Sequence, residues 1–266
     1  MDKLQVALLQ LPVVADKDEN LTKAALGLRE AAGKGARLVV LPEMWTTPYD
    51  TAVFADYAEG RTGKTATFLS NMARELEMVI VGGSIPEKDK AGRIYNTAFV
   101  FDAQGEPLAY HRKKHLFDID IAGGQYFRES DVLTPGEEST TFETLGWTFG
   151  LGICFDVRFP DQALDMVRQG ADCLIYPAAF NPSTGPLHWE LLMRARAMDA
   201  QSWLLACAPA RQTDGGYVSW AHSLVVNPWG TVEHDLGTDV QVRIASLYKE
   251  SIETVRAQIP IRGIQA

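Results

Sequence analysis

Residues 37–43 read Arg-Leu-Val-Val-Leu-Pro-Glu (RLVVLPE), and the five residues before the proline form a compact, nearly all-apolar run. That composition fits a short strand buried on both faces. A strand covered on both sides needs a layer above and below it, so this run argues for a layered α/β fold. Upstream, residues 4–11 (LQVALLQL) read as a second strand of the same kind. Between the two, residues 20–32 place Leu21, Ala24, Ala25, Leu28 and Ala32 on one helical face, with Gly33 or Gly35 as terminator. Downstream, a helix carrying Leu69, Met72, Ala73 and Leu76 leads into a strand at 78–82.

The middle of the chain changes character. Residues 94–101 and 107–112 flank the turn-rich Asp102-Ala-Gln-Gly105, which predicts a hairpin. Further strands are expected at 148–153, 172–176, 203–208, 223–226 and 241–245. Helices are expected at 160–169, where proline opens the first turn and Gly170 follows the end, and at 187–200. A last helix near 248–259 is stopped by Pro260. No linker, low-complexity block or repeat interrupts the pattern, so residues 1–266 read as a single domain with a short tail at 260–266. Parallel units mixed with hairpins predict two layered sheets covered by helices, not a plain Rossmann sheet.

Composition narrows the function. With 46% hydrophobic and 22% charged residues over 266 positions, the chain has a globular balance and enough length to bury a core without staples. A net charge of −9 argues against a dedicated nucleic-acid or anionic-membrane binder. Cys154, Cys173 and Cys207 are too few for a disulfide framework and form no CxxC pair, which fits a reducing cytosol. The N-terminal apolar stretch is too short for a signal core, and the longest charge-free stretches are broken by Pro, Asn, Ser and Gly. A cytoplasmic protein is the expectation.

Three reactive side chains stand where expected strands end: Glu43 after RLVVLP, Lys113 after PLAYHR and Cys154 after TFGLGI. Sites in open α/β sheets form at carboxyl ends of strands, and an acid, a base and a thiol there suit a covalent hydrolase. Each has a plainer reading. A cysteine in GLGIC is by default a small buried hydrophobe, the reading that Cys173 and Cys207 keep. Cys154 differs because a turn and a helix follow it, which brings backbone N–H groups near the thiol. Glu43 is otherwise a surface carboxylate and Lys113 a solvated cation. His111 and His115 would share a helix face and bind metal if the segment were helical. Here the pattern is extended, and Arg112, Lys113 and Lys114 would repel a cation.

The segments LVVLPEMW (38–45), YHRKKHLFDID (110–120) and GLGICFDVRFP (150–160) resemble the three catalytic blocks of the nitrilase superfamily of carbon–nitrogen hydrolases, in the same order. Segments 194–199 (RARAMD) and 222–230 (HSLVVNPWG) extend the likeness to about residues 4–260. Within the superfamily, HLFDIDIAGGQYFRES (115–130) and AFNPSTGPLHWELL (179–192) look like the omega-amidase branch. That branch hydrolyses the terminal amide of short dicarboxylic monoamides such as 2-oxoglutaramate and succinamate. The resemblance implies a four-layer α-β-β-α sandwich that pairs into homodimers or higher homo-oligomers. It implies Glu43 as general base, Lys113 as oxyanion stabiliser, Cys154 as nucleophile and Glu129 as a second glutamate steadying the lysine and substrate. Lys113 is preferred to Lys114 because the family pattern is Lys-x-His-Leu. Two departures stand out: Phe155 replaces a tyrosine common after the nucleophile, and the tail IRGIQA is short.

Amide hydrolysis explains why these types are needed. A thiolate attacks, an oxyanion donor holds the tetrahedral oxygen, and a proton donor releases ammonia. A cysteine beside Lys113 and a helix N-terminus is expected to have a lowered pKa. Lys113 and the Phe155 N–H would hold the oxyanion, each such donor being worth about 3 kcal/mol. Glu43 would serve as acid and then base, with burial and Glu129 tuning it. No metal or organic cofactor has a task in this scheme. For substrate choice, Arg158 either pairs with Asp156 or a surface acid, or clamps a substrate carboxylate, as the resemblance implies. Phe180 and Thr184 match other positions of the family's carboxylate pocket, and Phe155 lies beside it. Tyr49 either helps to close the pocket or packs in the core. The expected partner is a small carboxylate-bearing amide, with no nucleic acid and no membrane. Alternatives are an amidase for deaminated glutathione or an N-carbamoyl compound, a nitrilase, an acyl transferase, and a non-enzymatic sensor or scaffold on a degenerate amidase fold.

Overall fold

The computed structural model describes residues 2–122, 126–213 and 216–261. Residues 262–266 of the short tail lie outside the described residues, as do 123–125 of the 115–130 segment. The first half of the chain runs β1 (Lys3–Gln10), α1 (Lys17–Gly33), β2 (Leu38–Val40), α2 (Phe54–Tyr57), α3 (Lys64–Leu76), β3 (Val79–Lys88), β4 (Ile94–Phe101) and β5 (Pro107–Arg112). A small hairpin follows, β6 (Asp118–Asp120) and β7 (Tyr126–Arg128). The second half contains β8 (Thr140–Thr144), β9 (Trp147–Leu151), α4 (Pro160–Arg168), β10 (Cys173–Pro177), α5 (Gly185–Ala200) and β11 (Trp203–Cys207). It closes with β12 (Leu224–Val226), β13 (Val232–Asp235), β14 (Gln241–Tyr248) and α6 (Lys249–Gln258).

Two six-stranded sheets result. One has the order β14-β1-β2-β3-β4-β5, the other β13-β12-β11-β10-β9-β8. Each has a parallel trio at its centre, β1-β2-β3 and β9-β10-β11, flanked by antiparallel strands. Helical crossovers join the parallel strands, as parallel pairing requires.

The apolar strands are buried on both faces for a specific reason. In β1, Leu4, Val6 and Leu8 join one core with Phe149, Leu151, Leu174 and Leu204 of the second sheet. Ala7 and Leu9 point the other way, into a second core with Leu21 and Leu28 of α1 and Leu69 and Met72 of α3. On the far side, Ala163 and Met166 of α4 and Trp189 and Met193 of α5 cover the second sheet. The layers are therefore helix, sheet, sheet, helix, the α-β-β-α sandwich. Burying each large aliphatic side chain contributes about 1.5–3 kcal/mol, so the face-to-face core dominates the stability of the sandwich. Among the described residues, no helix is long and apolar enough to cross a membrane.

Several strands were not foreseen. β8 (TTFET), β13 (VEHD) and the hairpin β6–β7 are short, with many polar residues, and β8 and β13 lie at sheet edges, so they lack the apolar signature of the central strands. β3 also runs beyond the expected stop at Gly82, through an irregularity between Val81 and Ser84. Gly83 makes that continuation possible: its φ is +61°, and a Cβ there would lie 2.0 Å from the Pro42 carbonyl oxygen. The close approach lets the Ser84 N–H donate to Pro42 O at 3.1 Å. It thereby pins the turn that follows β2.

Candidate active site

That pinned turn carries Glu43, three residues past β2. The Met44 N–H donates to Ser84 Oγ at 3.1 Å and the Trp45 indole N–H to Gly82 O at 2.7 Å, fixing the two residues that follow the glutamate. Lys113 directly follows β5, with its N–H donating to Asn96 O at 2.8 Å. Cys154 lies three residues past β9 and opens a 3-10 turn, Cys154–Arg158. Glu129 opens another at the foot of the β6–β7 hairpin. The four side chains are buried, Lys113 and Glu129 completely so. The plain readings of Glu43 as a surface acid and Lys113 as a solvated cation are thereby corrected.

Lys113 is the hub. Its Nζ donates to Glu43 Oε1 at 2.8 Å and to Glu129 Oε1 at 3.0 Å. Asn96 Nδ2 also donates to Glu43 Oε1 at 2.8 Å, and the Tyr49 hydroxyl donates to Glu129 Oε1 at 2.8 Å. The Phe117 N–H holds the other Glu129 oxygen at 2.7 Å. Glu43 Oε2, by contrast, is buried without a hydrogen-bond partner. A buried carboxylate oxygen left unpaired is costly, and it marks an acceptor available to a transferred proton.

Burial lifts the Glu43 carboxyl above the usual carboxylate range; Lys113 pulls it down and Glu129 pushes it up again. For Lys113, burial alone would lower the ammonium, but Glu129 and Glu43 outweigh it and hold the group charged. Burial also pushes the Cys154 thiol well above its ordinary value, reinforced by Glu43 and only partly offset by Lys113. This corrects the expectation of a lowered thiol pKa. The lysine already serves two carboxylates, so its charge only partly offsets the burial of the thiol and the nearby Glu43.

Backbone strain collects here. Cys154 has φ +46° and Met44 φ +50°, both non-glycine residues in the left-handed region. Such conformations cost on the order of 1–3 kcal/mol and persist only where surrounding structure enforces them. Asp156 is the enforcer at Cys154. One of its oxygens accepts from the Ile153 N–H at 2.9 Å and His111 Nε2 at 3.0 Å; the other accepts from the His115 N–H at 2.9 Å and ring Nδ1 at 2.8 Å. Burial alone would raise this carboxyl, but these hydrogen bonds hold it far below the usual range. The two histidines of the HRKKH segment thus converge on a carboxylate. Among the described residues, no group of three or more His, Cys, Asp or Glu side chains is disposed to hold a metal ion.

Two cavities meet at Ala179. The larger, about 320 Å³, is walled by Val13, Val14, Met44 and Pro48 and reaches Glu43 and Tyr49. The smaller, about 10 Å³, is a slot among Cys154, Phe117, Phe155, Arg158, Phe180 and Thr184. Five of the residues singled out in the sequence therefore line the slot, while Tyr49 lies on the other side. Its ring is buried against Tyr217 and Phe54, and its hydroxyl touches the Glu129 carboxylate. Arg158 does not pair with Asp156, whose oxygens are already taken. No acid lies within ion-pair reach of Arg158 among the described residues, and its Nε is buried and unpaired. The Phe155 N–H, one residue past Cys154, likewise donates no hydrogen bond among them.

Asn96, Asp156 and Tyr217 belong to this constellation and were not found from sequence. Asn96 sits inside an apolar strand and Asp156 two residues past the cysteine, and only their contacts distinguish them from ordinary polar residues.

Comparison with known proteins gives a consistent picture. The carbon–nitrogen hydrolase family model matches residues 5–257. The chain is 47% identical to the omega-amidase NIT2 of Bos taurus, across 98% of this chain and 94% of that one. It is 44% identical to the omega-amidase NIT2 of Homo sapiens over the same shares. Its fold is similar to the crystal structure of Saccharomyces cerevisiae Nit3, a member of branch 10 of the nitrilase superfamily. That likeness has a TM-score of 0.92 and 40% identity, covering 99% of this chain and 96% of Nit3.

Proposed function

The chain belongs to the carbon–nitrogen hydrolase family, and from that premise we propose that it is an omega-amidase acting through a thioester on Cys154. The observation that carries the reading is a buried thiol that shares one slot with a guanidinium without an acid beside it, and that feels the charges of a carboxylate and of the buried ammonium which that carboxylate and a second one hold.

In this mechanism the resting thiol is protonated, in keeping with the burial and the Glu43 charge that raise it. When an amide carbon arrives, the Cys154 proton passes to the free Oε2 of Glu43 as sulfur attacks. The oxyanion is held by Lys113 Nζ and the Phe155 N–H, preorganised donors that need no rearrangement. Collapse breaks the C–N bond, Glu43 returns its proton to the departing nitrogen, and ammonia leaves. Water then attacks the thioester while Glu43 takes its proton; the C–S bond breaks and the thiol is restored. Glu43 acts twice, which suits a carboxyl raised above its usual range.

Arg158 supplies selectivity by accepting the distal carboxylate, with Phe155, Phe180 and Thr184 forming the walls. At about 10 Å³ the slot has room for roughly one water, so the acyl chain enters as these side chains shift. Tyr49 orders Glu129, and Glu129 orders Lys113. The reading includes a homodimer or higher homo-oligomer in the cytosol, where three free cysteines stay reduced; light scattering tests the assembly.

The deciding experiment is ammonia release from a panel. Succinamate and 2-oxoglutaramate should turn over far faster than glutamine, deaminated glutathione, an N-carbamoyl amino acid or a simple nitrile. Preference for any of the last four overturns the omega-amidase reading, and acid-quench mass spectrometry should find the acyl adduct on Cys154.

A further inference from the structure

The two edges of the Arg158 guanidinium have different surroundings. Nη1 lies 3.3 Å from Nδ1 of His188. Nε is buried without a partner, and Nη2 has no hydrogen-bond partner among the described residues. Nε and Nη2 together form the side-on edge, the one that takes a carboxylate through two parallel hydrogen bonds. We propose that His188 is a positioning residue for substrate: by occupying Nη1 it presents the Nε–Nη2 edge to the slot, and so sets the preference for carboxylate-bearing amides. The proposal rests on the reading of Arg158 as the carboxylate clamp.

The surroundings favour this role. Phe155 and Phe180 lie 5.4 and 5.1 Å from the guanidinium carbon. Aromatic faces attract the cation but do not fix its rotation about the side-chain axis. A hydrogen bond at one Nη does. Arginine has only donors, so His188 Nδ1 must be the acceptor and the ring proton sits on Nε2. His188 stands in the first turn of α5, its N–H donating to Thr184 O at 2.9 Å. That turn is anchored by Asn181 Oδ1, which accepts from the Ser183 and Thr184 N–H groups, and by the Trp189 indole donating to His222 O at 2.6 Å. Arg158 ends the turn locked by Asp156. Both partners therefore come from held backbone, as a preorganised site requires.

The test compares succinamate with butyramide, a neutral amide of similar length, in four variants. His188→Leu should raise KM for succinamate about 10-fold, the scale of one hydrogen bond to a charged group, with kcat nearly unchanged and butyramide little affected. His188→Asn sets an amide oxygen near the Nδ1 position and should recover most of the loss. His188→Gln reaches only the Nε2 position and should behave like leucine; if the leucine variant fails to fold, the asparagine–glutamine contrast decides. Arg158→Leu should cut kcat/KM for succinamate about 100-fold and spare butyramide. An unchanged substrate ratio in Arg158→Leu overturns the clamp itself. A changed ratio there with none in His188→Leu and His188→Gln, or matched losses on both substrates, overturns the positioning role alone.

Discussion

Replacing Asp156 by asparagine keeps the shape of the side chain and removes its charge. The two carboxylate oxygens each accept from one backbone N–H and one imidazole nitrogen, at 2.8 to 3.0 Å. An asparagine amide can replace only one of these oxygens; its NH2 then faces either the Ile153 or the His115 N–H. The imidazole can change tautomer to accept, but the backbone donor cannot. A buried N–H is therefore left unpaired and the ionic contacts are lost, which together cost about 3–5 kcal/mol. For a chain of this length, about 2–4 °C of Tm accompanies each kcal/mol, so scanning calorimetry should record a drop of roughly 6–20 °C. In either orientation the turn that holds Cys154 at φ +46° loses one of its two backbone anchors, Ile153 or His115. A displacement of about 1 Å at the sulfur costs on the order of 100-fold in rate, which kcat on succinamate at 20 °C should show in folded protein. The pH dependence follows from the sign of the shift. The carboxyl is depressed in the folded chain, so its contribution is complete above the ordinary aspartate value of 3.8 and fades as pH falls below it. The Tm difference between wild type and variant should thus be constant from pH 5 to 7 and narrow toward pH 3. A Tm within 2 °C of wild type, or full kcat, would refute the enforcing role given to Asp156.

Other perturbations separate the remaining roles. Cys154→Ala should abolish ammonia release with the circular dichroism spectrum intact, whereas Cys173→Ser and Cys207→Ser, in strands away from the slot, should stay active with lower Tm; more than trace turnover in the first contradicts a thioester. Lys113→Ala should lower kcat by several orders of magnitude in steady-state assays. Lys114→Ala should be mild, because that lysine is only half-buried and enters no ion pair among the described residues; equal losses would move the oxyanion role. For Glu43→Gln, stopped-flow measurement should find both thioester formation and thioester breakdown slowed, since one carboxyl serves both steps; a defect confined to one step would assign the other to a different group.

The layered architecture was legible in the residues themselves because a strand buried on both faces has to be apolar at every position. LQVALLQL and RLVVL announce β1 and β2, and the hairpin β4–β5 matches its expected bounds at both ends. The positions of Glu43, Lys113 and Cys154 just past strand ends were equally readable, since the change from apolar run to polar residue is local. The edge strands β8 and β13 were not, because pairing with a neighbour supplies what their own composition lacks. Nor was the site's electrostatic state. Lys113 meets Glu43 across 70 residues of chain, and Tyr49 meets Glu129 across 80. The sequence alone therefore determined the central strands and the long helices, and which reactive groups stand at the strand ends. Tertiary structure alone decided that Asp156 holds the Cys154 turn while Arg158 stands without an acid, and that burial raises the thiol instead of lowering it. Apolar periodicity is written in neighbouring residues, whereas desolvation and charge pairing sum over every atom that folding brings near.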